Sequence, residues 1–211
     1  MAGAPTLLRA VPRGSHGDLR LSDGRRLRSP PGTVTRPTPA RVRQSVFDML
    51  REQVVGTRWL DLFSGSGAMA CEALLHGAAH VTTVERHGRA AAVNRHNLKL
   101  VCRPPQTFAL HRRDVLAWLR TWKHATEPQQ PFALIYADPP YNGGLHEPVA
   151  RAVAAAGVLA PTGLLLLECT SRQLPVTLPG WQVGSRHRYG GTTVMRLQQI
   201  MEDQGGRGNG S

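Results

Sequence analysis

Long hydrophobic runs are missing from this 211-residue chain: no apolar stretch approaches the roughly 18 residues that a membrane-spanning helix needs. The opening MAGAPTLLRAVPRG lacks the apolar core of a secretory signal, so a soluble, cytoplasmic protein is expected. Cysteine is scarce as well. Cys71, Cys102 and Cys169 are far apart and show no CxxC spacing, which argues against a disulfide framework or a zinc site and makes them small buried apolar residues. The nine histidines, His146 and His187 among them, show no paired spacing, so no metal is expected and they are read as surface residues. Lysine is nearly absent, with only Lys99 and Lys123, so the basic character rests on arginine.

The formal charge is +12, and it is unevenly spread. Residues 1–58 hold 11 arginines against 4 acidic residues, over half of the excess in about a quarter of the chain. A basic arm on a more balanced body suits contact with a phosphate backbone, because each neutralised phosphate releases counterions. The length allows one main domain with a sizeable core. Four segments are expected: a disordered start (1–17), a basic arm (18–58), a body (59–200) and a flexible tail (201–211).

Within the arm, DLRLSDGRRLR (18–28) alternates around Asp23-Gly24 and predicts a small β-hairpin. Pro30, Pro31, Gly32 and Pro37 form an extended linker, after which Thr38-Pro39 is expected to cap a helix running to about Arg51. Val42, Val46, Met49 and Leu50 share one face of that helix, leaving Arg41 and Arg43 elsewhere and able to face a nucleic acid or water. In the body, strand and helix patterns alternate and end in a hairpin around Gly190-Gly191. That order predicts a three-layer α/β sandwich with a mostly parallel sheet, whose ligands sit at the carboxyl ends of the strands.

Four features fall at those ends. WLDLFSGSG (59–67) is a strand entering a glycine turn, where Gly65 and Gly67 allow close approach of a ligand to the backbone. The pattern fits a dinucleotide or another adenosine-containing cofactor, and Asp61 favours the second, since a carboxylate there repels a pyrophosphate and attracts a cation. Glu85 ends the second strand, 20 residues after Gly65, where its two oxygens suit a ribose diol. Asp114 opens a helix as its cap or as a contact to an adenine amine. The fourth, FALIYADPPYN (132–142), is a buried strand stopped by two prolines, and it presents Asp138, the Pro139 carbonyl and the Tyr141 ring to a flat ligand bearing an amino group.

From about Trp59 to Leu197 the chain resembles the class I S-adenosylmethionine-dependent methyltransferases. DLFSGSG looks like their cofactor loop, VER like their ribose acid, RRDV like their adenine contact, and DPPY like the signature of enzymes that methylate exocyclic amines of bases. More narrowly, RPTPARVRQSVFDML and RYGGTTVMRL are similar to the RsmD-like bacterial 16S rRNA guanine-N2 methyltransferases, over about Leu19 to Leu197. The front hairpin departs from that family's usual first strand. The resemblance implies a Rossmann-like seven-stranded sheet with a C-terminal antiparallel hairpin, and S-adenosyl-L-methionine held by Asp61, Phe63, Ser64, Gly65, Gly67, Glu85, Arg86 and Asp114. It implies catalysis by Asp138, Pro139, Pro140 and Tyr141, and RNA contacts from Arg36, Thr38, Arg41 and Arg43. A monomer acting without metal on 16S rRNA, within a small ribosomal subunit or its precursor, is expected. DNA adenine-N6 or cytosine-N4 methylation, a dinucleotide oxidoreductase and a non-catalytic RNA-binding assembly protein are the alternatives.

Overall fold

A computed structural model describes residues 19–30, 38–124, 129–140, 144–175 and 177–200, the Lys123 side chain excepted. Both terminal segments, Asp18, the linker from Pro31 to Pro37 with Arg36, and Tyr141 with Asn142 lie outside the described residues. Among those described, no helix is long and apolar enough to cross a membrane.

The body is a seven-stranded sheet. Its strands are β1 (Arg58–Leu62), β2 (His80–Val84), β3 (Thr107–His111), β4 (Phe132–Ala137), β5 (Leu159–Thr170), β6 (Trp181–Tyr189) and β7 (Thr192–Gln199), in the spatial order β3-β2-β1-β4-β5-β7-β6. The first five are parallel, and β7 runs antiparallel between β5 and β6. This is the expected Rossmann-like sandwich with its C-terminal hairpin. The strand order turns back between β1 and β4, which opens a crevice at their carboxyl ends.

Side-chain alternation assigns each strand residue to a face. Trp59, Val81, Leu134, Tyr136, Leu166 and Val194 point to the layer formed by α1 (Ala40–Leu50), α2 (Ala68–Leu75) and α3 (Gly88–Val101). Leu60, Leu62, Val84, Ile135, Leu165 and Met195 point to α4 (Val115–Lys123) and α5 (His146–Ala156). β5 starts earlier than the apolar run Leu164–Leu167 suggests. Ala160-Pro161-Thr162-Gly163 forms an irregularity within β5, between the Phe132↔Leu159 and Leu134↔Leu164 pairings.

The front hairpin is formed. Arg20 bridges Arg26, Leu21 N–H donates to the Arg25 carbonyl at 2.9 Å, and Gly24 takes φ +85 at the turn. Leu19, Leu21 and Leu27 are buried in the same core as α1. Phe47 of α1 stacks on Trp59 at 5.3 Å and Trp59 on Tyr136 at 6.4 Å, a line of rings that seats α1 on the sheet beside the crevice.

Three expectations are corrected. Pro39, not Thr38, is the N-cap of α1, since its carbonyl accepts from Val42 and Arg43 N–H while the Thr38 hydroxyl turns to Glu168. Arg43 does not face a nucleic acid: it is 2 % exposed, because Glu72 of α2 lies beneath α1 and draws the guanidinium inward. His146 is likewise buried, at the start of α5.

Candidate active site

The chain leaves β1 through a turn in which Phe63, Gly65 and Gly67 all have positive φ, at 62, 49 and 77°. For Phe63 this costs about 1–2 kcal/mol relative to a right-handed conformation, and such strain is held where surrounding contacts enforce it. The enforcing contacts come from α3. Asn94 Nδ2 donates to Ser64 Oγ at 2.8 Å, and Asn97 Nδ2 donates to the Ser66 carbonyl at 2.9 Å. Gly67 is required twice over, since a Cβ there would lie 2.5 Å from Asn94 Oδ1 in addition to the left-handed backbone.

Acidic groups face this turn. Gly65 N–H donates to Glu85 Oε2 at 2.9 Å and His87 N–H to Glu85 Oε1 at 2.7 Å, so the carboxylate is fixed by both oxygens with acceptor capacity to spare. Asp61 Oδ2 accepts from Ala70 N–H at 3.2 Å. Asp138 follows β4, and Glu168 lies near the end of the neighbouring β5. Tyr136 Oη donates to Glu168 Oε2, which the Thr38 hydroxyl reaches at 3.5 Å.

One cavity of about 730 Å³ joins these groups, within the roughly 300–1,000 Å³ typical of cofactor and small-ligand sites. Its wall includes Asp61, Phe63, Ser64, Gly65, Glu85 and Arg86, then Asp138, Pro139 and Pro140, and Thr38 from the arm. Gly67, Asp114, Arg41 and Arg43 are not in the wall. Asp114 caps α4, accepting from Ala117 N–H at 3.0 Å, while its neighbours Arg113 and Val115 reach the cavity. Sequence reasoning missed Glu168, Tyr136, Arg172, Tyr189 and Thr192 in the same wall. For Glu168 a signal was available, an acid at the carboxyl end of a parallel strand. Tyr189 and Thr192 lie within RYGGTTVMRL, a stretch noted for its family likeness but not read as part of the site.

The cavity has an acidic floor and a basic mouth. Burial pushes the Asp61 carboxyl up to about 8, with Glu85 raising it further and the Ala70 N–H opposing. Burial, then the charges of Glu168 and Asp61, hold the Asp138 carboxyl well above the usual carboxylate range. Burial and the Glu168 charge likewise raise the Tyr136 hydroxyl. No arginine or lysine pairs with Asp61, Glu85 or Asp138 among the described residues, whereas Arg86, Arg113 and Arg172 stand exposed in the wall. Such a floor is complemented by a cationic ligand, and the donor set fits S-adenosylmethionine: acids for its positive groups and ribose, and a turn that admits close approach.

Comparison with known proteins agrees with this chemistry. Residues 20–198 match the family described as "Conserved hypothetical protein 95". The chain is 30% identical over 178 residues to the "Ribosomal RNA small subunit methyltransferase D" of Escherichia coli (strain K12), covering 83% of this chain and 85% of that protein. It is 31% identical over 172 residues to the "Putative rRNA methyltransferase YlbH" of Bacillus subtilis (strain 168), covering 81% and 91% respectively. Among solved structures, "Putative methyltransferase yhhF from Escherichia coli" superposes with a TM-score of 0.72 at 26% identity, over 88% of this chain and 100% of that one. The chain therefore belongs to the Conserved hypothetical protein 95 family and, related as it is to the RsmD-like enzymes, to the class I S-adenosylmethionine-dependent methyltransferases.

Proposed function

We propose that this protein methylates the exocyclic N2 of a guanine in 16S rRNA, acting in the cytoplasm as a monomer on the small ribosomal subunit or an assembly intermediate. The observation that carries the reading is the meeting of Asp138-Pro139-Pro140 with Asp61 and the Phe63–Ser66 turn in one cavity, beside an arm that contributes Thr38. The relatives' names, with ribosomal RNA as substrate, support the choice of RNA.

Asp61, the Phe63–Gly67 turn, Glu85 and Arg86 would hold S-adenosylmethionine, which supplies an electrophilic methyl group when bound. The remaining work falls to the chain. A guanine N2 lone pair is delocalised into the ring, so it must be drawn towards tetrahedral geometry before it can react. The Asp138 carboxylate and the Pro139 carbonyl accept its two N–H groups and impose that geometry, and positioning supplies much of the acceleration. Asp138 then takes the proton that the methylated nitrogen sheds, being the carboxylate placed against that nitrogen. Tyr141 stacks on a base swung out of its helix or loop.

The test is radiolabelled methyl transfer to unmodified small subunits, naked 16S rRNA and duplex DNA, with Asp138→Ala alongside. Label is expected in guanine of the ribosomal substrates alone, and the variant should lose about 10³-fold or more in rate while keeping RNA affinity. Label in DNA, or equal modification by the variant, would overturn the proposal.

A further inference from the structure

A second acid stands beside the proposed amine grip. In the β4–β5 ladder Ala137 pairs with Leu167, so the next residues along, Asp138 and Glu168, are neighbours about 5 Å apart across the sheet. Both line the cavity. By alternation Glu168 shares the sheet face of Leu166, Tyr136 and Val194, the face covered by α1. The side chain is 1 % exposed, and its Oε2 is anchored by Tyr136 Oη and Thr38 Oγ1. A carboxylate accepts about four hydrogen bonds through two oxygens, so anchoring and recognition are compatible.

We propose that Glu168 selects the target base by accepting the guanine N1–H, next to the N2 amine held by Asp138 and the Pro139 carbonyl. The inference rests on the guanine-N2 reading and deepens it. The Watson–Crick edge of guanine offers N1–H and N2–H₂ side by side, a run of donors that two adjacent acceptors satisfy. Adenine and cytosine also carry an amine that Asp138 and Pro139 can grip, but the ring nitrogen beside that amine bears a lone pair. Set against the Glu168 carboxylate, that lone pair meets a second acceptor, and the two repel instead of bonding. A grip on the amine alone does not tell these three bases apart; the added acid does. Thr38 belongs to the arm, so the same contact ties the selecting carboxylate to the segment that precedes α1.

Side by side at the ends of neighbouring strands, the two acids repel one another, in keeping with an Asp138 carboxyl held up first by burial and then by the Glu168 charge. A donor-rich base edge relieves both.

The experiment compares kcat/KM for RNA carrying guanine or 2-aminopurine at the modified position, in the wild type and in Glu168→Gln. 2-Aminopurine keeps the C2 amine and replaces N1–H by a lone pair. The wild type should prefer guanine by about 100-fold or more, as expected of a site built around a hydrogen bond that the analogue lacks. Because 2-aminopurine also lacks O6, the variant carries the assignment: a glutamine amide can donate to the lone pair, and the preference should fall to within about 5-fold. Glu168→Asp, which keeps the charge but withdraws it by one methylene, should lower the preference too and serves if the glutamine variant does not fold. A preference that both substitutions leave intact overturns the assignment, as does a wild type that accepts both bases equally. Failure of the underlying reading is recognised separately, by wild-type label in a base other than guanine on native subunits, and it removes the assignment with it.

Discussion

The two faces of the sheet bury different things. On the side of α1, α2 and α3 the interior holds Arg43, Asp61, Glu72, Asn94, Asn97 and Glu168. On the side of α4 and α5 the buried polar side chains are Thr82, Thr193 and His146, among the described residues. Buried charge is costly unless it is paired or hydrogen-bonded, so its confinement to one face marks where the molecule departs from the packing that stability alone would select. The departure leads to the cavity. Glu72, Asn94 and Asn97 hold the turn after β1 and the front hairpin together, since Asn97 bonds both Ser66 and Arg28 and Glu72 accepts from Ser22 and Arg43.

The largest break in this contrast should come at Glu72. Its carboxylate accepts from Arg43 Nε at 3.4 Å and from Ser22 Oγ at 2.7 Å, while Arg43 also donates to the Thr38 carbonyl at 2.7 Å and to that of Arg20. Glu72→Ala leaves a guanidinium buried without its counter-charge, and a loss of about 3–5 kcal/mol is expected in urea unfolding. The double variant Glu72→Leu/Arg43→Met should recover most of that stability. Because the network positions the arm, it should still bind RNA more weakly. A single variant that costs under about 1 kcal/mol would show that the pair holds nothing together.

On the apolar face, Leu165→Ala opens a cavity among fully buried neighbours and should cost about 2–4 kcal/mol. Here the expectation diverges from that for Glu72: kcat/KM per folded molecule stays at the wild-type value at a temperature where the variant is folded. An activity loss beyond the unfolded fraction would mean that the two faces are not functionally distinct.

A smaller effect separates the acidic floor from the rest of the polar face. With its carboxyl raised to about 8, Asp61 holds a proton in the folded chain that the unfolded chain releases near its ordinary value of 3.8. The folded state thus binds more protons across that interval, and stability falls as pH rises from about 4 through about 8. Asp61→Asn, neutral throughout, should flatten that fall, seen as a smaller difference between urea midpoints at pH 5 and pH 8.5. Affinity for the cationic cofactor should change in the opposite sense, rising with pH in the wild type and remaining weak and flat in the variant by calorimetry. Identical pH profiles for the two proteins would place the titrating group elsewhere.

The apolar face was the more legible of the two. Strand positions, the order of elements and the acids at strand ends follow from alternation, glycine and proline, all of which are local. Arg43–Glu72, Tyr136–Glu168 and Asn97–Ser66 depend on partners 29 to 32 residues apart, and no local pattern names a partner. Traces of them are nevertheless present. Arg43 lies on the same helical stripe as Val46, Phe47 and Leu50, all buried, and the wider set Val42, Val46, Met49 and Leu50 hid it. Glu72 is the one charge in the otherwise apolar helix AMACEALL, whose residues Ala68 to Leu74 are all buried, a composition that demands a counter-charge.

Two arginines of one helix serve as each other's control. Arg41 and Arg43 are two residues apart in α1, and a helix turns about 200° over that interval, so their side chains leave on opposite sides. Arg43 enters the core, whereas Arg41 remains exposed in the first turn, next to the Thr38-Pro39 segment of the cavity wall. Arg41→Ala should alter stability by no more than about 0.5 kcal/mol, the usual range for a surface site. If Arg41 neutralises one phosphate, its removal lowers the slope of log affinity against log salt by about 0.7–0.9, measured on small-subunit RNA. An unchanged slope would take the exposed side of α1 out of the RNA interface. The exposed arginines of the front hairpin, Arg20, Arg26 and Arg28, would then be the next to replace.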